Sequence, residues 1–357
     1  MKARALALAV VLLAALGGLG YLLLRDDGST EEPTPDSTTT TSIELPSGTK
    51  APLTGLVVSD DDLDLLARPA LAAKVDNHPR ALPQWGLSDA DIVIELRVEG
   101  ISRFLAVFHS RDVGDVGPIR SARTSDPDLL AMFGHPLAAW SGANPATKEL
   151  MRSVEWIQDV SADRLPDAYR RDGRERAPHN LVLDASEAFA ATEDPIRIPS
   201  QLFEYREEGE APGGEPVPGF SVNVGLSVSE YRWDPDRAAW LRWSDGTALH
   251  DADHDGTDGP QVAPANVVVL ETAYGVSPTD PNSPEAITVG EGRAWVFTGG
   301  HLVRGSWSRQ DRTAPWALVS DAGTPIRLGP GATWVAMPGS GTEPRTLSAD
   351  EAAALGD

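Results

Sequence analysis

The chain has 357 residues, 41% of them apolar, and a formal charge of -23 from 30 Lys and Arg against 53 Asp and Glu. Such an acidic chain lacks the positive footprint that nucleic-acid phosphates demand, so no nucleic-acid partner is expected. It contains no cysteine, which excludes disulfides, thiolate zinc sites, a cysteine nucleophile and a lipid-modified N-terminal cysteine.

Residues 5–24 form an uncharged apolar run of 20. As a helix this run would be about 30 Å long, the thickness of a bilayer core. Lys2 and Arg4 precede it, and Arg25, Asp26 and Asp27 end it. Residues 1–25 are therefore expected to form a single N-terminal transmembrane helix with its start in the cytoplasm. A cleaved signal peptide is the rival reading, but its apolar core is normally shorter. The expected location is the cell membrane, single-pass, with the globular part extracytoplasmic. Residues 26–50 are rich in Ser, Thr, Pro and acids. They bury too little apolar surface to offset ordering entropy and read as a disordered stalk.

Residues 51–200 read as an α/β domain, a mixed sheet with flanking helices. The runs 71–77, 91–96, 103–110, 136–142 and 179–184 have the apolar pattern of buried strands. Ser125 followed by Pro127 starts a helix that Gly134 stops, and Asn144 before Pro145 starts another. Residues 185–193 give a third helix. Ligands in such folds commonly sit beyond strand ends. The polar residues gather there: Asp76 and Asn77 after the first strand, Glu95 and Glu99 after the second, Arg103 entering the third. Arg120, Ser121 and Arg123 precede a helix start, and Arg176, His179 and Asn180 lead into a strand.

Charge is uneven along the chain. Residues 51–190 carry 15 basic and 22 acidic side chains; residues 191–357 carry 11 and 25. Within the first block Arg97, Arg103, Arg111, Arg120 and Arg123 form one basic island and residues 164–176 a second. Two such islands in an acidic domain point to an anion pocket, although each arginine could equally be answered by a nearby carboxylate.

Residues 201–342 read as a β-rich second domain, of short runs with β-branched and aromatic residues separated by Gly, Pro and Asp. Gly299-Gly300 between alternating runs signals a hairpin. The tryptophans 233, 240, 243, 295, 307, 316 and 334 fall here; core packing is the first expectation and a carbohydrate-stacking face the alternative. Residues 343–357 are left as a tail. In the 250–259 stretch, Asp251, Asp253 and Asp255-Gly256 match the start of a calcium loop, but Val262 replaces the closing Glu. A divalent metal ion there is set against an acidic surface loop, with zinc on His250 and His254 as a variant.

The stretch "RPALAAKVDNHPRALPQWGLSDADIVIELRVEGISRFLAVFHS" resembles the opening of the YerB-like lipoproteins, a bacterial family of unknown function. The resemblance continues through "VGPIRSAR" and "YRRDGRERAPHNLV" and resumes in "ANVVVLETA", "GRAWVFTGGHLVRGSW" and "LGPGATWVAM". It implies an extracytoplasmic two-domain protein and carries no established activity. The family pattern matches Asp76, Asn77, Pro79, Glu95, Glu99, Gly100, Arg103, Gly117, Pro118, Arg120, Ser121, Arg123, Arg176, Pro178, His179 and Asn180. Many relatives begin with a lipid-attachment cysteine; here residues 5–24 would serve as the anchor instead. A second departure is Ile101, where the family often has paired glycines.

Three functions fit. The first is an envelope protein that binds an anionic envelope ligand or a protein partner. The second is a phosphotransferase or hydrolase acting on a phosphate-bearing envelope substrate, with arginines on phosphate oxygens and Asp76, Glu95 or Glu99 as base or magnesium ligand. The third is a glycan-binding or glycan-cleaving module using Glu95 and Glu99 as a carboxylate pair. No G-x-S-x-G elbow, Walker loop, H-E-x-x-H or dinucleotide fingerprint occurs. Binding is the reading taken forward.

Overall fold

Three strands of the first segment are mostly apolar and buried at every position but the last of the second: Leu71–Val75, Ile92–Arg97 and Ser102–Phe108. Such runs suit a sheet covered on both faces, and these strands lie in its middle. The computed structural model describes residues 45–253 and 255–356. The expected membrane helix at 5–24, stalk residues 26–44 and His254 lie outside these residues. Among the described residues no helix is long and apolar enough to cross a membrane.

The central sheet is mixed and has eleven strands. Its order is Ala317–Ser320, His301–Arg309, Gly290–Thr298, Asn266–Leu270, Thr333–Met337, Ile92–Arg97, Ser102–Phe108, Leu71–Val75, Leu137–Ala139 and Gln158–Asp159, with Glu215–Pro216 pairing onto His301–Arg309. Strands of both segments thus share one sheet. The join is Thr333–Met337, parallel to Ile92–Arg97 on one side (Ile94 opposite Val335) and to Asn266–Leu270 on the other (Val267 opposite Trp334). Leu71–Val75 runs antiparallel to Ser102–Phe108, with Val75 opposite Phe104.

Alternation along the strands sends side chains to two cores. One contains Leu71, Ala73, Val75, Phe104 and Trp334, and packs against a second sheet through Phe220, Tyr231 and Trp240. That five-stranded sheet runs Thr247–Ala248, Ala239–Ser244, Ser227–Asp234, Gly219–Val224 and Arg345–Leu347. The residues read as a tail therefore supply an edge strand, followed by the helix Ala349–Ala353 with a capping box between Ser348 and Glu351. The other core holds Ala72, Ile94, Leu105, Phe133, Trp140 and Trp316. Of the seven tryptophans of the second segment six are buried and Trp233 is half-buried, so the six offer no face for a sugar to stack on.

Helices are few and short; they start where expected, although the Ser125 hydroxyl makes no cap and accepts from the Ala286 N–H at 2.8 Å instead. Asn144 accepts a hydrogen bond from the Thr147 N–H at 2.8 Å to open Pro145–Ser153. Asp126–Leu130 continues as a tight turn and stops at Gly134. The Gly299-Gly300 hairpin joins Gly290–Thr298 to His301–Arg309. Residues 250–259, read as a loop, instead contain a short hairpin of His250–Ala252 against Asp258–Gln261.

Candidate functional site

The segment 117–123 is held by its backbone. Gly117 exchanges two hydrogen bonds with Trp85, at 2.8 and 3.1 Å. Ile119 N–H donates to Leu181 at 2.6 Å, Arg120 N–H to Lys74 at 2.7 Å, and Pro118 accepts from Asp76 N–H at 2.9 Å. Gly117 is needed for this approach, because a Cβ there would lie 2.8 Å from the Leu181 carbonyl oxygen. The segment so fixed crosses the end of Leu71–Val75, which puts Arg120 against Asp76 and Arg123 beside a helix start.

Asp76 is fully buried and is the hub. Its Oδ2 lies 2.7 Å from Nδ1 of His179 and 2.9 Å from Nε of Arg120. The Arg120 contact is ionic, since its N–H is not aligned for a hydrogen bond. Oδ1 accepts from the His78 N–H at 3.3 Å. The rings of His78 and His179 stack with centroids 4.2 Å apart. Asn77 donates to Ser102 Oγ at 2.7 Å, and Ser102 to Glu95 Oε1 at 2.6 Å.

Arg123 faces another carboxylate. Its Nε and Nη2 donate to the two oxygens of Glu99 at 2.9 and 2.7 Å, and Ser283 donates to Glu99 Oε1 at 2.6 Å. Burial opposes ionisation of Glu99, but the bonds from Arg123 and Ser283 and the charge of Arg123 prevail and hold its carboxyl at about 2. Beside this pair opens a cleft of about 250 Å³ lined by Ser121, Asn144, Thr147, Thr279 and Asp280, among others. The Ser121 hydroxyl donates to the Ser141 carbonyl oxygen at 3.5 Å, and its own carbonyl accepts from Arg123 Nη1 at 3.3 Å.

Arg103 has no such answer. It is 4% exposed, and its Nε and Nη1 are buried with no hydrogen-bond partner. It makes no ion pair among the described residues. Burial lowers its guanidinium to about 10, helped by the charges of Arg123 and Arg120 and opposed by Asp76 and Glu99; it still carries a full charge at neutral pH. The same group includes Lys74, buried and paired with Asp126 at 2.6 Å. Burial lowers its ammonium despite Asp126, and Arg103 and Arg123 add to this. Four cations, Lys74, Arg103, Arg120 and Arg123, thus stand against three carboxylates, Asp76, Glu99 and Asp126. Buried polar groups are nearly always satisfied, and an unpaired buried charge costs several kcal/mol. Arg103 is thus the cation of this group that has no carboxylate of its own.

The other expected residues are placed differently. Glu95 does not reach the cluster: strand alternation turns it into the opposite core. There it is fully buried and bonded by Ser102, Ser229, Trp334 at 2.9 Å and Arg242 at 3.0 Å. A Glu95–Glu99 carboxylate pair flanking a sugar is therefore not formed. Asn180 closes the loop before its strand, donating to Asp172 and Glu175 and accepting from Arg171. Arg176 is exposed and contributes a backbone turn to His179. The second basic island is answered locally: Arg170 pairs with Asp115 and Arg174 with Asp172, and Asp159 lies 3.7 Å from Arg164.

The acidic stretch does not converge as a calcium loop would. Because residue 251 lies in a strand, its side chain points inward. There the Asp251 oxygens accept from the N–H groups of Leu87 and Ser88 at 3.1 and 2.8 Å. Asp255 accepts from Thr257 N–H and Oγ1, and Asp253 caps Gly256 and Thr257 with its backbone. Among the described residues no group of three or more His, Asp or Glu side chains is placed to hold a metal.

Sequence reasoning missed Lys74 and Arg242, whereas His78 stands with Asp76 and Asn77 among the polar residues after the first strand. Lys74 had a signal, as the single charge within the apolar strand "LAAKV".

Residues 53–195 match the N-terminal domain, and residues 220–335 the C-terminal domain, of the protein family of unknown function DUF3048. The chain belongs to this family. It is 29% identical to "Putative lipoprotein YerB" of Bacillus subtilis (strain 168) over 300 residues, 80% of this chain and 85% of that protein. The crystal structure of Bacillus subtilis YerB superposes with a TM-score of 0.68 at 27% identity, covering 81% of this chain and 96% of that one. The family match spans both segments of the shared sheet, and all residues of the Asp76–Arg103–Arg120–Arg123 cluster fall within its N-terminal part.

Proposed function

We propose that this DUF3048 protein is tethered outside the cytoplasmic membrane and binds a small oxyanion between Arg103 and Arg120. The observation that carries the reading is Arg103, a buried guanidinium with no counter-ion beside two arginines that have theirs. Guanidinium groups are suited to phosphate and carboxylate oxygens. The terminal nitrogens of Arg120 have no protein partner among the described residues, so they are available to the same ligand. The lipoprotein name of the Bacillus subtilis relative supports an extracytoplasmic location. With no cysteine to lipidate, residues 5–24 would provide the tether.

The test is calorimetric titration of the wild-type chain and of Arg103→Met with inorganic phosphate and pyrophosphate. Binding should be seen in the wild type and lost in the variant. The variant should also melt higher without ligand, by about 1–3 kcal/mol in stability, because an uncompensated buried charge has been replaced by apolar volume. A variant that binds as tightly as the wild type would sink the reading.

A further inference from the structure

The two stacked imidazoles have complementary open edges. Carboxylates only accept, so Nδ1 of His179 carries the proton it gives to Asp76 at 2.7 Å. In the neutral ring Nε2 then holds a lone pair, on the edge facing away from Asp76. His78 is arranged the other way: its Nδ1 accepts from the Arg80 N–H at 3.1 Å, so its proton sits on Nε2. Neither Nε2 has a protein partner among the described residues. Burial and the neighbouring His179 lower the His78 ring's affinity for a second proton, with Arg80 and Arg120 adding to this against Asp76. One acceptor and one donor therefore belong to two stacked rings whose centroids are 4.2 Å apart. They adjoin the guanidinium groups: Arg120 and His179 meet the same oxygen of Asp76, and Arg103 feels both Asp76 and Arg120.

We infer that the site takes an oxyanion that carries its own O–H, such as hydrogen phosphate or a hydroxyl-bearing phosphate ester, with that hydrogen donated to Nε2 of His179. The arginines take the anionic oxygens, and His78 Nε2–H donates to one more. This rests on the anion reading above. A fully deprotonated oxyanion of equal charge would press an oxygen lone pair against the His179 lone pair and leave a buried acceptor unsatisfied, which is the usual origin of strong discrimination between near-isosteric ligands.

The experiment is titration of the full wild-type chain at about pH 8 with inorganic phosphate, glycerol 3-phosphate, methyl phosphate and sulfate, which are all dianions there. Phosphate or glycerol 3-phosphate should bind roughly tenfold or more tighter than methyl phosphate and sulfate. Tight phosphate with weak glycerol 3-phosphate assigns the free ion; the converse assigns an ester of the envelope. His179→Phe, checked for a native melting transition, should bring the four affinities to within about threefold of one another. Sulfate binding as well as phosphate to the wild type overturns the inference and leaves the anion site standing. Selectivity that survives in His179→Phe also overturns it. Binding of none of the four fells the anion reading itself.

Discussion

Glu99 grips Arg123 with both carboxylate oxygens, at 2.9 Å to Nε and 2.7 Å to Nη2. This is the geometry a bound carboxylate or phosphate would use, supplied from within the chain. Glu99 would thus compete with a ligand at the edge of the proposed anion site. Glu99→Gln should release one guanidinium and raise the affinity for inorganic phosphate by roughly three- to tenfold, read by calorimetry. Unchanged or weaker binding would show that Arg123 has no part in the site.

The same pair sets an acid limit. The Glu99 carboxyl is held at about 2 against an ordinary value of 4.5. A depressed carboxyl contributes stability that is fully present above the ordinary value and fades as pH falls towards the native one. Urea midpoints taken between about pH 5 and pH 2 should therefore fall less steeply in Glu99→Gln than in the wild type; parallel slopes would contradict the assignment.

Asp251 has the opposite sign. Burial raises its carboxyl from 3.8 to about 6, against the pull of the Ser88 and Leu87 N–H groups. A raised carboxyl favours the fold below its unfolded value, and that contribution is lost as pH rises through the native one. Between about pH 4 and pH 6 the wild type should lose stability relative to Asp251→Asn, which cannot ionise. Equal pH dependence of the two melting temperatures would show that the buried carboxyl does not titrate there.

Glu95 and Arg242 form a fully buried ion pair at 3.0 Å that ties Ile92–Arg97 to Ala239–Ser244. Arg242→Met leaves the carboxylate uncompensated and should cost about 3–5 kcal/mol in urea unfolding. The double change Glu95→Gln with Arg242→Met should recover part of that loss, since both charges are then gone. A double variant no more stable than the single one would place the cost in lost packing.

At the Gly299-Gly300 turn, Gly300 has a φ of +76°, and a Cβ there would lie 2.8 Å from the Trp233 ring nitrogen. Gly300→Ala meets both strain and collision and should cost about 1–3 kcal/mol by chemical denaturation. A neutral effect would mean that Trp233 yields.

Local rules read much of this molecule. The strands near 71, 92 and 103 follow from apolar runs, the helix at Pro145 from the Asn144 cap, and the hairpin from Gly299-Gly300, because each is decided by neighbours in the chain. Asp76, Arg103, Arg120 and Arg123 were singled out by charge beside turns in an acidic chain, and the fold does bring them together. Glu95 shares its strand face with exposed Arg97, and what separates them is the cover: the second sheet reaches Glu95 through Ser229 and Arg242, residues more than 130 positions away that the strand's own pattern does not announce. Asp251 was misread because a run of acids looks like a loop, while its pairing with Asp258–Gln261 makes it a strand whose side chain turns inward. The Glu95–Arg242 pair, 147 positions apart, and the stacking of His78 on His179 have no local signature at all.

The insertion of Thr333–Met337 beside Ile92–Arg97 has a consequence for biogenesis. The neighbour that completes the middle of the sheet is made more than 200 residues later, which places the pairing among slow, high-contact-order events. Until the last tenth of the chain arrives, Ile92–Arg97 presents an unsatisfied edge able to recruit a strand from another molecule. A nascent or truncated chain ending before Thr333 is therefore the aggregation-prone form.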